Sequence, residues 1–411
     1  MKGSSVRWIL TAIGLVFVVA GTLPFSMATS VAGPGWPRVG GFLSMAIGLA
    51  VIQGFYPPVD RWGSRAGLFF LIGLAVLPRI FLLPAPVSDD VHRYRWEGRL
   101  VLNSENPYKA PADASIYEQY RDADWEKMNH KDRVTVYPPL AQGLFAAMVA
   151  GERFLPNEVI EKGIFIACDL GVFALVLLLL RRRRLPPCFS LLYALNPVVL
   201  VSFAGEAHYD AVLVLALVGA VLALEVGRAR ISWILLAVSI QIKLISAVLV
   251  SIWLKRRVWR GMGIAVAILL LTWFPFGDGL VDWIRALYAF GGESSFFGLI
   301  PWLFRSLGIP ESSAAPTGAV LCVLALAAIL WQGGSPATMT RRIIGAMLVC
   351  GPILHFWYLT WLIPFLALRP SLSWFWLCAG QAFYFLVWEV WMFYFFPWNE
   401  SICNTFFVCP L

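Results

Sequence analysis

Long runs without charge recur along almost the whole chain, and they constrain the fold more than any other feature. Gly171–Leu180, Ala211–Leu224 and Gly318–Trp331 contain no charged residue. Only 14% of the 411 residues are charged, against about 25% in soluble domains. A helix needs about 20 mainly apolar residues to cross a membrane. The sequence therefore predicts an all-α, polytopic transmembrane helix bundle of about nine to twelve spans.

The candidate spans cover most of the chain. They are Trp8–Met27, Val39–Tyr56, Ala66–Pro84, Pro138–Phe154, Ile160–Leu180, Cys188–Phe203, Tyr209–Val226, Ile231–Leu254, Val258–Phe276, Thr317–Trp331, Ile343–Leu368 and Leu372–Phe396. The first has no clear small-residue cleavage site after it, so we interpret it as a retained helix. We expect one transmembrane domain, residues 1–411, without a soluble module.

The net charge of +8 comes largely from short basic clusters beside apolar runs. These clusters are Arg181–Arg184, Lys255–Arg257 and Arg341–Arg342. Such placement follows the positive-inside rule and reports topology, with a small contribution from anionic lipid. It predicts a multi-pass membrane protein and no nucleic-acid partner.

Two segments conflict with this topology if every span crosses fully. With the N-terminus in the cytoplasm, complete crossings by Pro138–Phe154 and Ile160–Leu180 place Arg181–Arg184 outside. One of these segments is therefore expected to be a half-span or a surface hairpin. Ile231–Leu254 raises the same conflict, and a break near Gln241–Lys243 would return the next basic cluster to the cytoplasm. Broken helices at membrane depth line protein cavities.

The longest polar connection, Ser88–Val136, is predicted to face outside. Residues 86–136 form an extracytoplasmic catalytic loop in this interpretation, because long connections without a span are usually functional. The loop's aromatic content argues against disorder. Its pattern predicts a helix over Asp90–Asn103, a turn, and an amphipathic surface helix around Ala114–Lys127.

Two adjacent acids, Asp89 and Asp90, follow the third candidate span. Either could act as a general base, or the pair could hold a divalent cation such as Mg or Mn. The structural alternative is helix capping by Ser88 or Asp89. Arg93 and Arg99 could clamp a phosphate, or form an ordinary salt-bridged helix face.

The second group of candidate residues lies at the end of the loop, where Tyr137-Pro138-Pro139 is predicted to begin a helix. His130 could bind a sugar hydroxyl or a phosphate, although a lone histidine is more often structural, and we assign Tyr137 to the same substrate site. Proline suits the first turn of a helix, so a purely structural helix start explains the Pro residues equally well.

Ionisable residues at a span edge form the third group: Glu206, His208 and Asp210. Charges in or beside a membrane are costly and usually functional. Lys243 lies between apolar stretches, where a buried amine needs a partner. A phosphate would serve, and an intramembrane acid such as Asp169 is the alternative. Tyr358 belongs to the aromatic run His355–Tyr358, which suits a sugar ring, a lipid chain or ordinary packing.

Several other sites are missing from the sequence. There is no phosphate-binding glycine loop, no dinucleotide fingerprint and no zinc spacing. A soluble nucleotide donor therefore has no visible binding site.

Cys403 and Cys409 lie in the C-terminal tail. They could form a disulfide only if this tail faces an oxidising compartment.

These residues resemble a known family in their order along the chain. Ser88–Arg99 with Asn106-Pro107-Tyr108 resembles the first extracytoplasmic loop of the GT-C polytopic glycosyltransferases. Tyr137–Ala141, Cys168–Leu170, Leu195–Pro197 and Ile242-Lys243 recur in the same order. Bacterial mannosyltransferase-like members are the most similar, and the eukaryotic GPI first mannosyltransferase is a more distant relative.

The resemblance implies a GT-C fold and transfer of a hexose, mannose by analogy, from a polyprenyl-phosphate-linked donor. It also implies inversion at the anomeric carbon and an acidic base in the first loop. Asp89 matches the first acid of the family's Ser-Asp-x-Asp pattern, whereas Val91 stands at the second and Asp90 precedes it. Which acid is the base stays open. The acceptor would be a glycolipid, glycan or protein. The similarity to bacterial members implies a bacterial inner membrane with the active site on its extracytoplasmic side. A transporter or lipid flippase and a non-catalytic membrane assembly protein are the alternatives.

Overall fold

The computed structural model describes residues 2–31, 33–55, 64–293 and 297–386. Within these ranges the protein is all-helical and contains no β-strand, as the sequence predicts. The predicted pairing of Cys403 with Cys409 and the end of the last candidate span lie outside the described residues. The helices are α1 Lys2–Ser26, α2 Gly35–Phe55, α3 Arg65–Leu82, α4 Asp89–Leu102, α5 Ala123–Lys127, α6 Pro139–Ala150, α7 Asn157–Arg182, α8 Leu191–Ala194, α9 Pro197–Val199, α10 Asp210–Glu225, α11 Ala229–Ile242, α12 Val250–Lys255, α13 Met262–Leu271, α14 Leu280–Glu293, α15 Leu299–Ser306, α16 Ala314–Gln332, α17 Pro336–Cys350, α18 Ile363–Leu366 and α19 Leu372–Gly380.

Five described helices are long and apolar enough to cross a membrane. They are Ser5–Ser26, Gly35–Phe55, Arg65–Leu82, Asn157–Arg182 and Glu311–Gln332. The number rises to seven if two bent pairs each count as one span. Several predicted spans are instead interrupted: Pro197 follows the end of α8, and Pro352 lies between α17 and α18. Proline removes a helical hydrogen bond and crowds the preceding turn. The larger predicted number is not confirmed.

The first three helices define the two ends of the bundle. Gly14 and Gly21 of α1 lie against Gly48 and Gly41 of α2, respectively, so the two helices are antiparallel. Ser26 at the end of α1 donates to the carbonyl of Phe81 near the end of α3. The ends of α1 and α3 and the start of α4 therefore lie together, and we call this the loop end. The opposite end is called the basic end.

The basic cluster after α7 lies at the basic end. Gln53, near the end of α2, donates to the carbonyl of Cys188 at 3.5 Å, and Arg183 pairs with Glu225 at the end of α10 at 2.5 Å. The preceding helix α6 has only 12 residues and packs on α4 at the loop end. It is shorter than the about 20 residues that a crossing needs, which agrees with the predicted half-span.

The predicted break near Gln241–Lys243 is confirmed. Helix α11 ends at Ile242, Lys243 has extended backbone, and a 3-10 helix leads into α12. Trp253 donates to Ser232 at 3.0 Å, and the hydroxyls of Ser239 and Ser246 lie 2.7 Å apart. These antiparallel contacts make α11–α12 a re-entrant hairpin with Lys243 at its tip.

Residues 86–136 fold largely as predicted. The first helix, α4, spans Asp89–Leu102. The second was predicted as one piece over Ala114–Lys127, which is wrong: a 3-10 helix, Ser115–Tyr120, is followed by the five-residue α5. Asp122 has extended backbone, and its side chain caps α5 by accepting from Trp125 N at 2.9 Å, so the two helices are separate.

Candidate active site

Helix α4 begins the site by placing two carboxylates at its first turn. Ser88 is the N-cap, and its hydroxyl accepts from the backbone N–H of Asp90 at 3.3 Å. The capping interpretation is thus correct for Ser88. Asp89 and Asp90 remain available for other contacts, and the backbone N–H of Ser88 donates to the carbonyl of Glu206 at 2.9 Å. This bond joins α4 to the segment before α10.

The two carboxylates have one donor in common, and Asp89 also accepts from the Ser88 hydroxyl at 3.1 Å. The side-chain amide of Asn129 donates to Asp89 Oδ2 at 3.0 Å and to Asp90 Oδ1 at 2.9 Å. Burial, followed by the charge of Asp90, raises the pKa of Asp89 to about 6. Burial also acts to raise the pKa of Asp90, but His208 and the Asn129 hydrogen bond outweigh it and lower that pKa. The pair thus contains one easily protonated carboxyl and one persistent carboxylate.

His208 lies between two acids. Its Nδ1 is 3.8 Å from Asp90 Oδ2, and its Nε2 is 3.3 Å from Glu206 Oε2. The imidazole is fully buried and stacks on Trp357 with ring centres 4.2 Å apart. A π-helix, Leu200–Gly205, and the positive φ of Ala207 (59°) turn the chain into this position. Such backbone persists only where its surroundings hold it.

Lys243 meets Asp210 in the interior of the bundle. Its Nζ lies 3.0 Å from Asp210 Oδ1, and Trp361 Nε1 donates to the same oxygen at 2.6 Å. The ammonium also lies 4.6 Å from the ring centre of Tyr358 and 5.2 Å from that of Tyr209. The Asp210 side chain is fully buried, whereas that of Lys243 is 20% exposed. The alternative partner, Asp169, instead pairs with Arg79 at 2.6 Å.

Tyr137 joins an aromatic group between α4, α6 and α10. Its ring centre lies 5.6 Å from Tyr94, 5.3 Å from Phe145 and 5.3 Å from Tyr209. The hydroxyl oxygens of Tyr94 and Tyr209 are buried without a hydrogen-bond partner in the described structure. Buried hydroxyls normally find partners, so these two are unsatisfied polar positions beside Tyr137.

Three predicted residues are engaged with the rest of the loop. Arg93 binds Glu97 at 2.7 Å and donates to the carbonyl of His130 at 2.8 Å. Arg99 pairs with Asp122 at 2.8 Å and with Asp124. These contacts realise the salt-bridged alternative, and a phosphate role for the arginines stays a prediction. His130 adopts a positive φ of 47°, and burial lowers its pKa.

Some contacts could not be expected from sequence. Asn129 stands beside His130, yet nothing in the pattern indicates that it joins the two acids. Trp361 follows Tyr358 by three residues, which places the two rings in a stack with centres 4.4 Å apart. His355 also stacks on Trp357, at 4.3 Å. The His355–Tyr358 run was the available signal for this part of the site.

The described residues contain no group of three or more His, Cys, Asp or Glu that could hold a metal ion. Asp89 and Asp90 are the predicted carboxylate ligands of a cation, and they already share the Asn129 amide. A cation would need to displace this donor and take water or substrate oxygens as its other ligands.

Residues 14–256 match the family described as alpha-(1->6)-mannopyranosyltransferase, N-terminal domain. This match spans more than half of the chain. The protein belongs to this family. The matched region holds the carboxylate pair, His208 and the re-entrant hairpin, whereas Tyr358 and Trp361 lie beyond it. No curated protein and no solved structure matches the chain significantly.

Family membership confirms the resemblance to mannosyltransferases. It supports a glycosyltransferase role with a sugar donor and an acceptor. Together with the apolar helices, it also indicates a membrane protein. The transporter alternative receives no comparable support.

Proposed function

We propose that the protein transfers mannose from a polyprenyl-phosphate-linked donor to an extracytoplasmic hydroxyl, with inversion. The single observation that carries the proposal is the carboxylate pair, held by Asn129 and flanked by His208 at the end of an apolar helix. The mannosyltransferase family supports the sugar. A lipid-linked donor suits a site at the end of membrane-length helices. The acceptor is a glycolipid, glycan or protein.

Asp89 is the proposed general base. The acceptor oxygen attacks the anomeric carbon, the bond between that carbon and the phosphate oxygen breaks, and the acceptor proton passes to Asp89. A base is most effective when its pKa lies near the working pH. The pKa of about 6 for Asp89 meets this condition better than the lowered pKa of Asp90. Attack from the face opposite the leaving phosphate accounts for inversion.

Lys243 is proposed to stabilise the phosphate leaving group. Its ammonium is partly exposed and lies among Tyr358, Tyr209 and the Asp210 carboxylate. Negative charge develops on the phosphate as the glycosidic bond breaks, and a fixed cation lowers the energy of that state. Asp210 would hold Lys243 in place between turnovers.

The remaining polar side chains are proposed to orient the sugar. Glu206 and His208 offer a carboxylate and an imidazole beside Asp90, and Tyr137 and Tyr358 offer aromatic faces. Arg93, Arg99 and His130 would act by holding the loop in shape, since Arg93 and Arg99 bind acids of the loop and Arg93 donates to the His130 carbonyl. Arg99 also ties the loop to Glu152 after α6.

The proposed topology is that of a single GT-C-type transmembrane domain, residues 1–411, with residues 86–136 as its catalytic loop. The basic clusters lie at the end opposite Asp89, which supports an extracytoplasmic active site under the positive-inside rule. Labelling of an Asp132→Cys variant with a membrane-impermeant maleimide, compared with wild type, tests this orientation. Modification only after the membrane is opened would contradict it.

The activity is tested by incubating the purified protein with a panel of polyprenyl-phosphate sugars and an acceptor mixture. Release of polyprenyl phosphate with the mannose donor is the expected result. The Asp89→Asn/Asp90→Asn variant should lose release by at least about 100-fold, the scale of general base catalysis. Asp132→Asn removes an exposed acid of the same loop and should retain it. Equal release by both variants would contradict the proposal.

A further inference from the structure

A shallow groove lies at the basic end of the bundle, away from the carboxylate pair. It has a volume of about 340 Å³ and lies between α16, α17 and α19. Helix α17 begins at this end, because Ser335 accepts from Arg183 at 2.7 Å. The groove is lined by Ile329, Arg341, Arg342, Gly345, Ala346, Val349 and Trp374.

Two arginines of the lining, Arg341 and Arg342, together with Arg369 beside Arg341, concentrate positive charge at this end of the groove. Arg341 interacts electrostatically with Arg369 and with Arg342, both of like charge. In the part of the chain that the structure describes, no carboxylate pairs with any of the three. Arg342 donates instead to the neutral amide of Gln332 at 3.2 Å. Like charges gathered without a counter-charge repel one another, and an anion would relieve this repulsion.

The walls of the groove suit hydrocarbon. Ile329, Ala346 and Val349 are apolar, and Val349 is 39% exposed. Trp374 approaches α17 where Gly345 lacks a side chain: a Cβ there would lie 3.0 Å from the indole. Helix α16 is only 11% buried over its most apolar stretch, so its outer surface is available to lipid. The groove thus has arginines at one end and apolar side chains along its length, an arrangement that fits a lipid with a phosphate headgroup and acyl chains.

We propose that this groove binds an anionic phospholipid, with the headgroup phosphate on Arg341 and Arg369 and an acyl chain against Ala346 and Val349. Guanidinium groups bind phosphate oxygens in bidentate fashion, and basic residues at a membrane surface attract anionic lipid. The ligand is a bulk membrane lipid rather than the sugar donor, because the groove and Asp89 lie at opposite ends. The proposal does not depend on the proposed transfer reaction.

The test measures lipid binding directly on the delipidated full chain. The protein is titrated with phosphatidylglycerol or phosphatidylcholine in detergent, and bound lipid is counted by native mass spectrometry. Wild type should retain phosphatidylglycerol at least about 10-fold more tightly, corresponding to about 1.4 kcal/mol. Equal retention of the two lipids would overturn the proposal.

Matched variants separate the groove from general surface charge. Arg341→Gln/Arg369→Gln should abolish the preference, whereas Arg181→Gln/Arg184→Gln removes the same charge at the same end and should keep it. Arg341→Lys/Arg369→Lys preserves the charge and should keep most of the preference for phosphatidylglycerol. It provides a second test should the glutamine variant fail to fold. Equal loss in the two glutamine variants would refute a specific groove.

The apolar wall has its own test. Val349→Trp fills the groove without altering charge and should weaken phosphatidylglycerol binding. Inorganic phosphate and polyprenyl phosphate are added as competitors. Displacement of the lipid by inorganic phosphate at equal concentration would show that the chains contribute nothing, and preferential binding of polyprenyl phosphate would identify another occupant. Either result would contradict the proposal.

Discussion

The ammonium of Lys243 lies 3.0 Å from a carboxylate oxygen of Asp210, at the tip of the re-entrant hairpin. The pair joins the hairpin to the first turn of α10, and the Trp361 indole joins the same carboxylate to the chain beyond α17. Three distant segments therefore depend on one interior ion pair. The Asp210 side chain is fully buried and that of Lys243 is partly exposed. Removing one member or the other should therefore change the free energy of unfolding by different amounts.

Lys243→Met should destabilise the protein more than Asp210→Asn. The first change leaves a fully buried carboxylate without its cation, whereas the second leaves an ammonium that is 20% exposed. Breaking a buried pair from one side costs about 3–5 kcal/mol. The double variant Lys243→Met/Asp210→Asn should recover part of that loss. Unfolding of detergent-solubilised protein, followed by size-exclusion chromatography after heating, measures all three variants. Equal loss in the single variants would contradict this asymmetry.

Mannosyl transfer should fall as pH decreases through about 6. Burial and the Asp90 charge raise the pKa of Asp89 to about 6, and its protonated form cannot accept the acceptor's proton. Activity at pH 5 should therefore be about one tenth of the plateau. A pH–rate profile under saturating donor measures this acidic limb. Asp89→Asn should have low activity that no longer falls at acidic pH. If its activity still fell through about pH 6, the titrating group would be a residue other than Asp89.

Glu206→Gln and Asn129→Ala should move the acidic limb in opposite directions. The negative charge of Glu206 raises the pKa of Asp89, so its removal should shift the limb to lower pH. The Asn129 amide stabilises the ionised Asp89, so its loss should shift the limb to higher pH. The same profile, measured on each variant, decides the matter. Shifts in the same direction would exclude Asp89 as the titrating base.

Much of the fold was predictable because apolar length and charge placement leave few arrangements in a membrane. The break at Lys243 followed from the cost of an amine within an apolar stretch and from the basic cluster after it. The interruption between α17 and α18 was not predicted. The run Ile343–Leu368 reads as one span, although Pro352 lies within it, and α17 ends at Cys350.

The site was predictable by residue type rather than by partner. Asp89, Asp90, His208, Asp210 and Lys243 were each recognisable as ionisable groups near a span. Their pairing was not, because it depends on how distant segments pack. The same limit applies to Arg93 and Arg99. The sequence alone does not tell whether an arginine binds a carboxylate of the protein or a phosphate of the substrate.

Lys162 is expected to position the catalytic loop, although nothing in the sequence distinguishes it. It is buried on α7, and its ammonium donates to the carbonyls of Leu83 at 2.8 Å and Leu82 at 3.3 Å, and also to that of Ala85. These carbonyls lie at the end of α3, where helices leave acceptors unpaired. The chain continues within a few residues to Ser88 and Asp89.

Lys162→Met should therefore lower kcat by about 10-fold or more and destabilise the fold by about 1–3 kcal/mol, because buried carbonyls lose their donor. Lys162→Arg keeps a cation and should retain part of the activity. Lys131→Met removes an exposed lysine that donates to one carbonyl of the loop and serves as the matched control. Transfer rates should be measured at temperatures where each variant is fully folded. Wild-type kcat in folded Lys162→Met protein would show that the end of α3 holds Asp89 without this lysine.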